Sequence, residues 1–142
     1  MSLARLAVYN KAGVDLKAKI ADTRFTWGDA LLQRKTGTYA KPNPEQMENI
    51  IKQARAINNI YDLLGGFEIT SWLRTPDYNK AIGGAPHSAH LDGLATDFVP
   101  KCLTVKDAKD KIKKFGGYPG GGEENSTNWC HLDLKHTGWF IA

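Results

Sequence analysis

The chain has 142 residues, which is enough for one domain of ordinary size and too few for two. Hydrophobic residues make up 42% and charged residues 24%, the mix of a globular protein, and no apolar run nears the roughly 20 residues that span a bilayer. The net charge of +4 fits a solvated basic surface or attraction to an anionic polymer; dispersed lysines and the lack of a basic-aromatic motif argue against nucleic acid.

Residues 1–24 are read as an N-terminal extension and residues 25–142 as the domain. The stretch Met1 to Lys19 is broken by Arg5, Asn10, Lys11, Asp15 and Lys17, so it lacks the apolar run of a secretory signal. The expectation is cytoplasmic synthesis, with release by lysis or on a virion. The first firm element is a helix over 44–64. Asn43 can cap it, Pro44 suits its first position, and Glu45 favours its positive end. Met47, Ile50, Ile51, Ala54, Ile57, Tyr61 and Leu64 share one stripe, and Gly65-Gly66 ends it. Residues 67–73, rich in aromatic and β-branched types, read as a strand, and 93–99 and 129–134 alternate as strands do.

Between the last two, a second helix is predicted over 105–115, with Thr104 and Asp107 as a capping pattern and Val105, Ala108, Ile112 and Phe115 on one face. The lysines from Lys106 to Lys114 alternate with Asp107 and Asp110, as on an exposed face. Residues 116–122 read as a glycine-rich turn or mobile loop. The order predicts a small single-domain α+β fold with an antiparallel sheet. Cys102 and Cys130 lack C-x-x-C spacing, and whether they pair stays open; Cys130 reads as a small core residue.

All four histidines fall in two short segments, His87 with His90 and His131 with His136, each accompanied by carboxylates. Imidazole with carboxylate is a ligand set that zinc favours. Strand alternation places Gly93, Ala95 and Asp97 on one face, an acid with almost no bulk beside it, and Leu94, Thr96 and Phe98 on the other. In the last strand Trp129, His131 and Asp133 share a face, while Cys130, Leu132 and Leu134 form the apolar one. Pairing the two strands sets Asp97 against His131, with His90 arriving from the preceding loop. Three ligands and one open position is the arrangement of a catalytic zinc. The same pattern also fits a half-buried strand that turns His and Asp to solvent.

Ser88-Ala89-His90-Leu91-Asp92-Gly93-Leu94-Ala95-Thr96-Asp97 resembles the S-x-H-x-x-G-x-A-x-D signature of the zinc D-alanyl-D-alanine carboxypeptidases, of the hedgehog/DD-peptidase fold group. Thr70 to Pro76, Tyr78 to Gly84 and the closing Trp129-Cys130-His131-Leu132-Asp133 extend the likeness, as do Phe25-Thr26-Trp27 and the helix after Pro44. It runs from about Phe25 to Phe140 and points to the phage and bacterial murein peptidase branch. The resemblance implies zinc held by His90, Asp97 and His131, and hydrolysis of peptidoglycan by a carboxypeptidase, endopeptidase or phage lysin. It also implies a stem-peptide substrate, a monomer, and substrate binding by Arg74 and Ser88. Arg74 would pair with a terminal carboxylate, positioning substrate rather than supporting the fold; its plainer role is solvating a strand end.

One departure bears on catalysis. Many relatives carry the general base two or three residues before the last ligand, where this chain has Asn128 and Trp129. Asp133 is then the candidate base, with Glu124 second. His87 and His136 either stabilise an oxyanion or sit on the surface, and Asp92 reads as a solvated acid. The rival class is a non-catalytic zinc-containing wall-binding or virion structural module.

Overall fold

A computed structural model describes residues 13–142 and shows a small α+β domain. Helix α1 (Trp27–Leu31) leads into a hairpin of β1 (Leu32–Gln33) and β2 (Thr38–Tyr39). Helix α2 (Pro44–Tyr61), strand β3 (Phe67–Ser71), helix α3 (Pro76–Ala81) and a 3-10 turn (Ala89–Asp92) follow. Strand β4 (Ala95–Pro100), helix α4 (Val105–Phe115), β5 (Gly121–Gly122) and β6 (Cys130–Asp133) complete the chain. The main sheet is antiparallel, in the order β3-β4-β6-β5. Among the described residues no helix is long and apolar enough to cross a membrane.

Helix α2 forms where its caps and stripe dictate. Asn43 Oδ1 accepts from the Gln46 N–H at 2.8 Å and Gln46 Oε1 accepts from the Asn43 N–H at 2.9 Å, a reciprocal cap worth about 1 kcal/mol. Met47, Ile50, Ile51, Ala54 and Ile57 are buried as expected, and Ile60 joins them. They pack on one face of the sheet with Trp72, Phe98, Cys130 and Leu132. Truncating Ile57 to Ala would cost about 2–5 kcal/mol, the lost burial of the removed carbons plus the cavity they leave. Gln53, in the middle of this stripe, is fully buried and makes three hydrogen bonds. Its amide donates to Thr96 Oγ1 at 3.2 Å and the Leu132 carbonyl at 3.1 Å, and its carbonyl accepts from Tyr118 Oη at 2.7 Å.

Some expectations need correction. Helix α2 ends at Tyr61 rather than near Leu64, although the Leu64 N–H still donates to the Ile60 carbonyl at 3.2 Å in the turn that leads to the two glycines. In α4, Ala108 and Ile112 are buried but Phe115 is 60% exposed at the helix end, beyond the reach of the sheet. Lys109 is not on the exposed face: it is buried, with Nζ donating to the carbonyls of Glu124 and Ser126. The glycine-rich run is not only a loop, since Gly121 and Gly122 pair with β6. Packing also begins before Phe25, as Ile20 is fully buried and Lys19 bridges to Thr26. Residues 1–12 of the expected extension lie outside the described residues. Cys102 and Cys130 are both free thiols, and Cys130 sits in the core.

Candidate metal centre

Strands β4 and β6 pair in the register that alternation requires, with Asp97 opposite His131 and Ala95 opposite Asp133. Residues directly opposite share a face, so Asp97 and His131 meet on the side away from Phe98 and the core. His90 comes from the 3-10 turn. Ser88 Oγ accepts from the His90 N–H at 3.1 Å, and Gly93 ends the turn in the left-handed conformation at φ 81°. A Cβ on Gly93 would meet Ile50 Cγ1 at 2.9 Å, so the turn also lies hard against α2. Gln46 Nε2 and Asn49 Nδ2 donate to the carbonyls of Leu91 and Asp92, both at 3.0 Å, fastening the turn to the start of that helix.

The ring of His90 is fixed from behind. Its Nδ1–H donates to the Trp72 carbonyl at 2.6 Å, which leaves Nε2 as the bare nitrogen. That atom is buried, has no hydrogen-bond partner, and lies 3.2 Å from Asp97 Oδ1. A ring nitrogen and a carboxylate oxygen thus converge in a buried place. His131 Nδ1 reaches the same oxygen at 2.8 Å. One ligand atom from each of His90, Asp97 and His131 falls within 4.8 Å of the others, close enough to hold a metal ion. The donor set and the unpartnered Nε2 fit a borderline cation such as zinc.

The electrostatics follow from this crowding. Burial works to raise the Asp97 pKa, but the two imidazoles outweigh it and hold the carboxyl well below the ordinary range. His131 is pulled down by burial and pushed up more strongly by its bonds to Asp133 and Asp97, reaching about 9. In the metal-free chain it is therefore an imidazolium at neutral pH, donating to a carboxylate from each nitrogen.

The other expected residues fall around this cluster. Arg74 Nη2 donates to Asp97 Oδ2 at 3.1 Å, Nε to Ser71 Oγ at 3.0 Å, and Nη1 to Asn79 Oδ1 at 3.2 Å. Its side chain is only 12% exposed, so Arg74 is built into the site and does not merely solvate a strand end. Ser88 caps the turn that carries His90, its Oγ accepting and its O–H still able to donate. Asp133 is fully buried, and its Oδ2 accepts from His131 Nε2 at 2.7 Å, on the ring edge opposite the nitrogen that faces Asp97. Its place is behind His131, which differs from the position expected of a base. Both oxygens of Glu124 lie 2.7 Å from Lys113 Nζ. Asp92 and His87 are exposed, as read. His136 is also exposed, as read, and its Nδ1 contacts Asp133 Oδ1 at 2.9 Å. Sequence reasoning missed Trp72, whose carbonyl sets the His90 tautomer; a backbone acceptor leaves no residue-type signal.

A family model described as Peptidase M15 matches residues 23–133, most of the chain and all three members of the cluster. No curated protein and no solved structure gives a significant match.

Proposed function

The chain belongs to the M15 peptidase family, and from that premise we propose that it is a zinc peptidase cutting peptide bonds of bacterial peptidoglycan. The observation that carries the reading is the convergence of His90 Nε2, Asp97 and His131 Nδ1, two imidazoles and a carboxylate from three separate segments. His90 and His131 would each give one nitrogen to the ion and Asp97 one oxygen. Zinc bound there would supply Lewis acidity toward a scissile carbonyl and make water acidic enough to attack at neutral pH.

The protein's own groups then have distinct tasks. Trp72 holds the His90 ring with its bare nitrogen inward, and Arg74 holds the second oxygen of Asp97 so that the first stays turned to the imidazoles. A guanidinium has five N–H bonds, and the structure uses three of those on Arg74. The remaining two, one on each terminal nitrogen, can meet the carboxylate of a stem peptide. Arg74 is thus both a support for Asp97 and the anchor for the substrate's acidic end. Cleavage also needs a proton acceptor and a donor to the leaving amine. Glu124 can serve only if its ion pair with Lys113 opens.

The test is digestion of purified peptidoglycan, with mass spectrometry of the fragments, in the presence and absence of a chelator. Release of terminal alanine marks a carboxypeptidase; separation of cross-linked stems marks an endopeptidase. Zinc should restore either activity after chelation. A chain that takes up zinc but leaves the wall intact would instead be a non-catalytic zinc module. The engaged state of both Asp133 and Glu124 is the observation that favours that second reading.

A further inference from the structure

The family match stops at Asp133, yet the next residues turn back onto the site. Asp133 Oδ1 accepts from the backbone N–H of His136 at 2.7 Å, and His136 Nδ1 lies 2.9 Å and 3.0 Å from its two oxygens. The His136 ring stacks on Phe140, with centroids 3.9 Å apart and planes 19° from parallel. Phe140 in turn stands edge-on to His131, at 5.8 Å and 88°. Phe140 is itself anchored: its N–H donates to the Gly122 carbonyl at 2.9 Å and its carbonyl accepts from the Glu124 N–H at 2.7 Å.

We propose that His136 and Phe140 form a brace that holds the Asp133 carboxylate on His131 Nε2, and so keeps His131 Nδ1 turned toward His90 and Asp97. An imidazole can turn over about its Cβ–Cγ bond, which would present a carbon where the nitrogen is needed. A carboxylate fixed on the opposite N–H prevents that and settles which nitrogen stays bare for a metal. Asp133 can do this only if it is itself held, because a fully buried carboxylate with a single partner is poorly compensated. The donors from His136 complete its shell, and the Phe140 face keeps the His136 ring in place. Asp133, His136 and Phe140 are therefore positioning residues, lying partly beyond the stretch the family shares. The inference rests on the metal-site reading above.

The experiment measures zinc affinity of the whole chain by competition with a chromophoric chelator, together with the visible spectrum of the cobalt-loaded protein. The variants are Asp133→Asn, His136→Phe and His136→Asn. His136→Phe keeps a ring on Phe140 but removes the side-chain N–H, while His136→Asn keeps an N–H donor near Nδ1 and removes the ring. Asp133→Asn and His136→Phe should bind zinc about 10–100-fold more weakly, with altered cobalt bands. His136→Asn should recover much of the affinity. Wild-type affinity and an unchanged cobalt spectrum in His136→Phe would overturn the brace, whatever happens to melting temperature. Retained affinity with lost turnover in Asp133→Asn would overturn it too, and make Asp133 the base. If the wild-type chain takes up no zinc, the metal reading fails first and the brace falls with it.

Discussion

Asp97 and His131 face each other across β4 and β6, and the contact between Oδ1 and Nδ1 is 2.8 Å. One strand register therefore decides whether a metal site exists at all. A slip of β6 by one residue would send His131 to the core face and leave Asp97 without its partner. The first prediction follows from this convergence. The chain should bind one zinc, and His90→Ala or His131→Ala should abolish nearly all of it in metal analysis of the purified protein. Full zinc content in either variant would end the assignment.

A second prediction concerns pH. His131 has its pKa raised from 6.5 to about 9, so the metal-free fold gains stability from it below about 6.5 and loses that gain as pH rises through 9. Zinc needs the nitrogen bare, so binding at pH 7 must expel a proton. Apparent zinc affinity should therefore climb from pH 6 to about 9, and calorimetry in buffers of different ionisation enthalpy should show proton release. Affinity that is flat across this range would show that His131 is already neutral.

Arg74 offers a third. Its removal leaves Asp97 Oδ2 without its charged partner in a place only 11% exposed. Arg74→Ala should lower the stability of the metal-free protein by about 1–3 kcal/mol in denaturant unfolding, as well as cutting turnover of wall peptide. Arg74 read only as a substrate-positioning residue would leave the melting temperature nearly unchanged on removal. Arg74→Lys should keep part of the stability but little of the turnover, because an ammonium cannot span three acceptors in a plane.

The fourth prediction distinguishes the two thiols. Burial pushes the Cys130 thiol up to about 12, against the pull of Lys109, whereas Cys102 is exposed. A thiolate-specific reagent at pH 8 should titrate one thiol per native chain and two after denaturation. Rapid labelling of both in the native protein would mean that β6 does not lie as described.

Much of the site was legible because it is written in short-range patterns. Alternation over residues 93–99 and 129–134 was enough to oppose Asp97 and His131, and caps plus a stripe were enough to place the start of α2. What stayed hidden depends on distant partners. Lys109 looks like any surface lysine until its Nζ is seen on carbonyls 15 and 17 residues downstream. Gln53 sits in an apolar stripe for the sake of strands it meets only in the fold. Asp133 was in view as an acid on the right face, but alternation cannot say on which side of the His131 ring it lies. The tie from His136 and Phe140 needs the return of the chain past β5, which no local pattern announces.

The glycine run before β6 carries a consequence for sequence variation. A Cβ at Gly120 would stand 2.1 Å from the Asp133 carbonyl oxygen, one at Gly121 2.2 Å from that of Gly138, and one at Gly122 2.6 Å from the Trp139 ring. Two of these obstacles are backbone, which no side-chain rotation can clear. A library randomised across the domain should thus recover almost nothing but glycine at these three neighbours, in a stretch whose composition resembles a spacer. Gly116, with open space around its missing Cβ, has no such crowding to answer to, though its backbone still sits at φ 70°. Tolerance in this loop should therefore fall sharply along its length, and an engineer seeking room for an insertion would find it nearer the end of α4 than beside the strand that carries His131.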